Sequence, residues 1–355
     1  APAASAASGA ACRARRGWAD TAVMRKTLSA LAVMLLMAAC AHQPQPPEPP
    51  RQVQPTAVQL DAARRVGLDA AELANLLNKP LYRMQPAELG RFLAWQQLDQ
   101  PALRQRIAAL ARKNIGQPYE LFLLGEFPYE TYDSQPLFDL AKSDCVVFAE
   151  HVYAMALSAS WEEFFWMLQR IRYRDGVIGT ATRNHYTEAD WNIANRWLVQ
   201  DVTATLGVPT QAYRQRIDRR AFLLKQFKIT REIPVQEFDD VYVAKQDVAA
   251  IEAQLQDGDF VNIISSRGSD SWASHVGLIV TGADGSRHLL HSAEPQVREE
   301  TLQGFIARMA ERDARQAGQN KAQLAGFKFL RLNDAPQVPP MAPQPRPARP
   351  AALAG

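Results

Sequence analysis

Residues 143–150 read Ser143-Asp144-Cys145-Val146-Val147-Phe148-Ala149-Glu150, and the apolar stretch continues to Leu157. Asp144 stands where a helix N-cap stands, and the run behind it is long enough for a buried helix. A cysteine therefore opens a core helix. Upstream, Pro86-Ala87-Glu88 begins an amphipathic run, and Leu103, Ile107, Leu110 and Ala111 recur at helical spacing, so residues 56–115 predict helices. Downstream, Ser160-Trp161-Glu162-Glu163 is a capping-box pattern, and Thr187-Glu188-Ala189-Asp190 is a second candidate. After about residue 255 the pattern changes to strands. Asp257-Gly258 turns into a run over 259–264; runs over 275–281 and 287–291 flank the turn Ala283-Asp284-Gly285-Ser286; and 327–332 is the last. Helices followed by antiparallel strands predict the α+β class.

The chain has 355 residues, 47% of them apolar and 22% charged, which suits a folded core and not a disordered chain. The net charge of +3 argues against nucleic acid as a partner. Repeats, a G-x-G-x-x-G pattern and a P-loop are absent, and no apolar run reaches the roughly 20 residues of a membrane-spanning helix. Residues 1–23 are Ala-rich with scattered Arg and read as an over-long gene start. From Met24 the pattern is that of a signal peptide: Arg25 and Lys26, then an apolar stretch over 28–39, then Ala38-Ala39-Cys40. It resembles a bacterial lipoprotein signal, in which Cys40 is acylated and becomes the mature N-terminus. Without residues 1–39 the chain holds 35 basic and 36 acidic residues, a net charge of −1. Residues 40–55 form a Pro-rich tether, 56–104 a helical extension, 105–334 the main domain, and 335–355, with seven prolines, a disordered tail. Ala41 after Cys40 lacks the aspartate of inner-membrane retention, so the expected location is the outer membrane, facing the periplasm.

Cys145 is then the one unmodified thiol in a compartment where structural cysteines pair. It is either a small buried apolar residue or a nucleophile. A nucleophile needs its thiolate, which a helix N-terminus and a nearby imidazole both favour. Of the six histidines, His42 lies in the tether, His151 is turned away from Cys145 on the same helix, His185 lies in a polar loop and His288 alternates towards solvent. His275 begins one strand and His291 ends the next, so a hairpin brings them together and His291 can fix the tautomer of His275.

These features resemble the papain-like NlpC-type cell-wall amidases and endopeptidases, and within them a bacterial family catalogued as N-acetylmuramoyl-L-alanine amidase-like. The resemblance runs over residues 105–332. It is carried by Gly116-Gln117-Pro118-Tyr119, the Cys145 segment, Ile171-Arg172-Tyr173-Arg174-Asp175-Gly176, Arg183-Asn184-His185-Tyr186 with Asp190-Trp191, and Ser274-His275-Val276-Gly277. It implies helices packed on an antiparallel sheet, and a catalytic set of Cys145 as nucleophile, His275 as base and acid, and His291 as the orienting third member. It implies a peptidoglycan or muropeptide substrate, cut at N-acetylmuramoyl-L-alanine, with no metal or cofactor, by a monomer held to the membrane through its lipid. Tyr119, Asp144, Arg172, Arg183 and Tyr186 are the candidate substrate contacts, since arginine forks and aromatic faces suit stem carboxylates and sugars. Two departures stand out. The interval from Tyr119 to Cys145 is longer than in simple NlpC domains, and the long hairpin between His275 and His291 leaves the third member open.

Other readings remain at this point. The cut bond could instead lie between D-glutamate and the diamino acid. Asp175 and Asp190 could pair with the arginines and pin a loop. A zinc amidase using His185, His275 and His291, or a non-catalytic wall-binding lipoprotein, would be a different class; the sequence has no H-E-x-x-H.

Overall fold

The α+β expectation is met in a computed structural model that describes residues 52–348, with ten α-helices and an eight-stranded antiparallel sheet. The expected leader, Cys40 and nearly all of the tether lie outside these residues. Among the described residues no helix is long and apolar enough to cross a membrane.

The helix that begins at Cys145 organises the rest. Asp144 caps it by accepting the Val147 N–H at 2.8 Å, and ten of its twelve residues, Val147 to Ala156, are buried. It is α5 (Cys145–Ala156). Before it come α1 (Ala57–Arg65), α2 (Ala70–Asn78), α3 (Pro86–Asp99) and α4 (Leu103–Lys113); after it comes α6 (Trp161–Arg172). Thr56 and Gln59 form a capping box at α1, and the Trp95 indole N–H of α3 donates to the Gln59 carbonyl, so the helical extension shares the core of α5. Gly90 lets α3 lie against α6, because a Cβ there would sit 3.0 Å from the Trp161 nitrogen. At the other end of α5, the Arg106 guanidinium and the Gln97 amide donate to the Ala156 carbonyl at 2.7 and 3.1 Å. They satisfy a carbonyl that the helix leaves unpaired and place a positive charge at the negative end of its dipole.

The strands are β1 (Val199–Asp201), β2 (Thr210–Ile217), β3 (Gln236–Ala244), β4 (Phe260–Arg267), β5 (Asp270–Thr281), β6 (Arg287–Ala293), β7 (Gln296–Thr301) and β8 (Gln323–Leu332). Their order is β2-β3-β8-β4-β5-β6-β7, with β1 also paired to β8. The four strand runs legible in the sequence are β4, β5, β6 and β8. Both faces of this sheet are covered, which is why its central strands read as continuous apolar runs. Val276, Leu278, Val280 and Leu290 face α5, while Ile263, Ile279, Leu289 and Phe327 face a second core under α10 (Leu302–Arg315). Three short helices, α7 (Asn192–Ala194), α8 (Arg219–Phe227) and α9 (Val248–Ile251), lie in the connections.

Two local expectations change. Ser160 does cap α6, accepting from Glu163 N–H at 3.1 Å, but Thr187 caps nothing. Instead Asp190 reaches back to the Tyr186 N–H at 3.0 Å and the segment makes a π-turn. The Pro-rich tail has no helix or strand up to residue 348, yet it is held as a strap and not loose. Ala342 donates to the Asp175 carbonyl at 3.1 Å, the Gln344 amide donates to the Gly176 carbonyl at 2.7 Å, and Ala348 donates to the Pro128 carbonyl at 2.9 Å. Gly176, at φ +69°, admits this strap, since a Cβ there would meet Met341 at 2.9 Å.

His151 lies in the core of α5. One ring nitrogen, Nδ1, donates to the Val147 carbonyl at 2.7 Å and Nε2 is buried with no partner, so burial holds the imidazole neutral and pushes its pKa from 6.5 down to about 4. The unfolded chain then binds a proton that the folded chain does not. Stability is complete above pH 6.5 and falls as pH drops towards 4. Between pH 7 and pH 5 this group alone removes about 2 kcal/mol. Urea titrations at the two pH values should show a loss that is about 2 kcal/mol smaller in His151→Phe than in the wild type, the other buried histidines contributing to both.

Candidate active site

The strands β5 and β6 pair only from Leu278↔Leu290 to Thr281↔Arg287, whereas β6 stays paired to β7 as far as Ala293↔Gln296. His275, Val276 and Gly277 therefore lie beyond the end of the β5–β6 ladder, and His275 lines a cavity of about 340 Å³ with His291, Arg298, Phe305 and Arg308. The start of α5 is tied to this place: the Ser292 hydroxyl of β6 donates to the Ser143 carbonyl at 2.9 Å, and the Ser143 hydroxyl donates to Gln117 Oε1 at 2.8 Å. Cys145 is half-buried there, and the Val276 backbone N–H, with those of Cys145 and Val146, faces its sulfur. The thiol thus lies against the residue that follows His275. Gly277 completes the arrangement, because a Cβ would come within 2.7 Å of Leu289 and 3.1 Å of His291.

His275 and His291 are joined directly, Nε2 to Nδ1, at 2.7 Å. The line continues: His291 Nε2 meets Glu300 Oε1 at 2.9 Å, and Glu300 is gripped by Arg308 through two bonds of 2.6 and 3.1 Å. These contacts set the protons. A carboxylate only accepts, so His291 Nε2 carries the hydrogen and His291 Nδ1 is the acceptor. His275 Nε2 must then donate, which leaves the His275 Nδ1 lone pair free. Partial burial pushes the Glu300 carboxyl up, but the bonds from His291 and Arg308 outweigh it and hold it at about 2. Burial, with His291 and the nearby arginines, pushes His275 down to about 3.

The thiol departs from expectation. Burial and the Asp144 carboxylate push Cys145 up to about 12, against the lowering by the three N–H groups. Both shifts act in the same direction, towards a neutral thiol and a neutral imidazole. The helix N-terminus is present, but the carboxylate that caps it works against the thiolate.

Tyr119 is close despite its distance in sequence. It bridges to Ser143, and Glu120 N–H donates to the Ser143 carbonyl at 3.1 Å, so residues 120–142 leave and return at one point. Burial, then the nearness of Cys145 and Asp144, pushes the Tyr119 phenol up to about 12. Asp144 serves as the cap of α5 and lines a cavity of about 540 Å³ beside it. Arg172 and Arg183 line the same cavity, but their carboxylate partners are not Asp175 and Asp190. Arg172 bonds Glu150 at 2.9 Å, and Arg183 pairs with Glu126 at 3.2 Å and Asp133 at 3.1 Å; Asp190 pairs with Arg219. Tyr186 packs instead under Arg219, 5.5 Å from its ring centre, and against Phe222. His185 bonds the Thr180 carbonyl and packs on Phe222 and Phe227. Among the described residues no three His, Cys, Asp or Glu side chains are grouped to hold a metal ion.

Sequence reasoning overlooks Glu300, Arg308 and Glu150. Glu300 sits in Arg298-Glu299-Glu300, which reads as solvated charge; only the β6–β7 register puts it diagonal to His291. Glu150 is buried on α5, where it accepts from Arg172 and, at 3.1 Å, from the Trp191 indole. One carboxylate therefore links three separate sequence segments.

A family model described as AmiA-like, N-acetylmuramoyl-L-alanine amidase-like, matches residues 109–311, more than half of the chain. The chain belongs to this family. The AmiA-like match runs from α4 into α10 and so contains Cys145, His275, His291 and Glu300. No curated protein matches the sequence. Among solved structures, a protein from Legionella pneumophila is 17% identical with a TM-score of 0.60, covering 72% of this chain and 96% of its own. An N-acetylmuramoyl-L-alanine amidase from Bacteroides uniformis is 22% identical with a TM-score of 0.51, covering 65% of this AmiA-like chain and 99% of its own. At these identities the likeness is one of fold.

Proposed function

We propose that this AmiA-like protein is a cysteine-dependent amidase of the papain-like NlpC type that hydrolyses the amide between the lactyl group of N-acetylmuramic acid and L-alanine. The observations that carry the reading are the hydrogen-bonded line His275–His291–Glu300 and the position of Cys145 at the start of α5, its sulfur facing the backbone N–H of Val276, the residue after His275. The family description and the activity named for the Bacteroides relative support the bond chosen. When substrate arrives, the thiol proton passes to His275 Nδ1 as the sulfur bonds to the lactyl carbonyl carbon. The carbonyl oxygen gains the charge, and the Cys145 N–H, which has no partner within the helix, is placed to receive it. Collapse breaks the C–N bond, His275 returns its proton to the leaving nitrogen, and L-alanyl peptide departs. Water, losing a proton to His275, then cleaves the thioester and regenerates the thiol. Because both shifts favour the neutral pair, proton transfer and attack occur together. The Tyr119 hydroxyl is a candidate substrate donor, and Asp144, Arg172 and Arg183 shape the cavity wall.

Mass spectrometry of products from a defined muropeptide tests the assignment. Free N-acetylmuramic acid and an L-alanyl peptide are the expected products; a cut after D-glutamate would assign an endopeptidase, and an unchanged substrate would make the protein a wall-binding module. Glu300→Gln keeps the shape of the relay but removes the charge that fixes its protons, and should lower kcat about 10²-fold with little change in KM. The enzyme is further proposed to be anchored through Cys40 to the outer membrane, acting as a monomer, with the apolar stretch ending at Cys40 as the support. Recovery in the soluble periplasmic fraction would overturn the anchor.

A further inference from the structure

The cavity beside α5 has two unlike walls. One is polar and already committed. Arg172 bonds Glu150 at 2.9 Å and the Leu124 carbonyl at 3.3 Å; Arg183 bonds the Leu124 carbonyl at 2.8 Å and Asp133 at 3.1 Å, and pairs with Glu126. The terminal nitrogens of both guanidinium groups are engaged in this way and the Nε of each is buried without a hydrogen-bond partner, so neither presents an exposed fork to a substrate carboxylate. With Asp133 and Asp144 also on this wall, the cavity does not suit the anionic peptide stem.

The other wall is aromatic and unused. Phe122 is 82% exposed and Tyr132 59% exposed, both line the cavity, and neither ring packs on another ring among the described residues. Phe122 also has φ +58°, the left-handed region that a bulky side chain adopts at a cost and that glycine adopts freely. Burial does not explain the conformation, because the ring is in solvent. The neighbouring Leu123 and Leu124 are buried, so the turn is anchored while the ring is held outward. Strain that holds an apolar ring at the mouth of a cavity is the kind of feature found at binding sites.

We propose that Phe122, with Tyr132, is an aromatic platform for the amino-sugar ring in the acyl half of the substrate. This deepens the amidase reading and rests on it. The cavity adjoins Asp144, Val146 and Val147 around the first turn of the helix that carries the nucleophile, so a substrate whose amide reaches Cys145 can extend its acyl half into it. A pyranose ring presents an uncharged C–H face that packs on a flat aromatic surface, and its hydroxyls suit the amides and hydroxyls of Asn184, Ser134 and Gln135 on the same walls.

The test compares two substrates with the same scissile amide: N-acetylmuramoyl-L-alanyl-D-glutamate, and D-lactoyl-L-alanyl-D-glutamate, which lacks the sugar. The wild-type protein should prefer the first. Phe122→Ala should raise KM for the sugar substrate about 10-fold, leave kcat nearly unchanged and erase the preference, while Phe122→Tyr restores it. Phe122→Gly should erase the preference with an unchanged or higher Tm, which separates lost binding from lost folding. Equal use of both substrates by the wild type, or a preference that survives Phe122→Ala and Phe122→Gly, overturns the platform while leaving the amidase in place. If the wild type cleaves neither, the amidase reading falls, and ligand-observed NMR of N-acetylmuramic acid with Cys145→Ser decides the platform separately. Binding that Phe122→Ala removes supports it, and no binding, or binding that persists, overturns it.

Discussion

Cys145→Ser will fold like the wild type and lose muropeptide turnover by about 10⁴-fold or more. The size follows from the role of the sulfur: without the nucleophile no thioester forms, and a serine hydroxyl lacks the low proton affinity and polarisability of a thiol. The stability expectation is separate. Cys145 is only half-buried at the first position of α5, where the Asp144 cap and not the side chain of residue 145 holds the helix start, so urea midpoints of the two proteins should coincide. Turnover in Cys145→Ser within 10-fold of wild type would remove the cysteine mechanism. Iodoacetamide should inactivate slowly below pH 8, because the resting thiol is pushed up to about 12. Rapid, pH-independent alkylation would show a preformed thiolate instead.

Arg172→Met will cost about 3–5 kcal/mol of stability. Glu150 is 1% exposed and Arg172 is 8% exposed, and the substitution strips the buried carboxylate of its charged partner, leaving only the Trp191 indole. The double variant Arg172→Met/Glu150→Leu should recover most of the loss, since removing both charges removes the uncompensated one. Chemical denaturation of the three variants measures this. If Arg172 instead served mainly to fork a substrate carboxylate, Arg172→Met would raise KM and change stability by less than about 1 kcal/mol. The buried geometry argues for the first result, and it shows why an arginine in a sequence segment cannot be given a role without its partner.

The helix from Cys145 and strands β4, β5, β6 and β8 were legible because each carries a strong local period or an uninterrupted apolar run. The antiparallel pair of β2 and β3, joined through α8, was not. Arg214 and Asp239 pair across it in solvent, and Asp240 bonds the buried Lys328 of β8, so charge that looks like loop is cross-strand pairing. Strand β7 buries one hydrophobic residue, Val297, so it is held by its neighbours and has little signal of its own. Helix α10 differs: Leu302, Phe305, Ile306 and Met309 recur at i, i+3, i+4 and i+7, a helical stripe legible in the sequence that the expectation of strands after residue 255 passes over.

Local pattern was enough to place Cys145 at a helix start, to separate helices from sheet and to pair His275 with His291 across a hairpin, because each of these depends on residues near one another in the chain. Three things depended on the folded chain: that Tyr119 returns beside Cys145 across residues 120–142, that Glu300 extends the histidine pair, and that Arg172 and Arg183 are already bound by Glu150, Glu126 and Asp133. The shift of the thiol towards its neutral form belongs with them. Desolvation and charge partners are set by what packs around a group, and a linear sequence does not contain that distance.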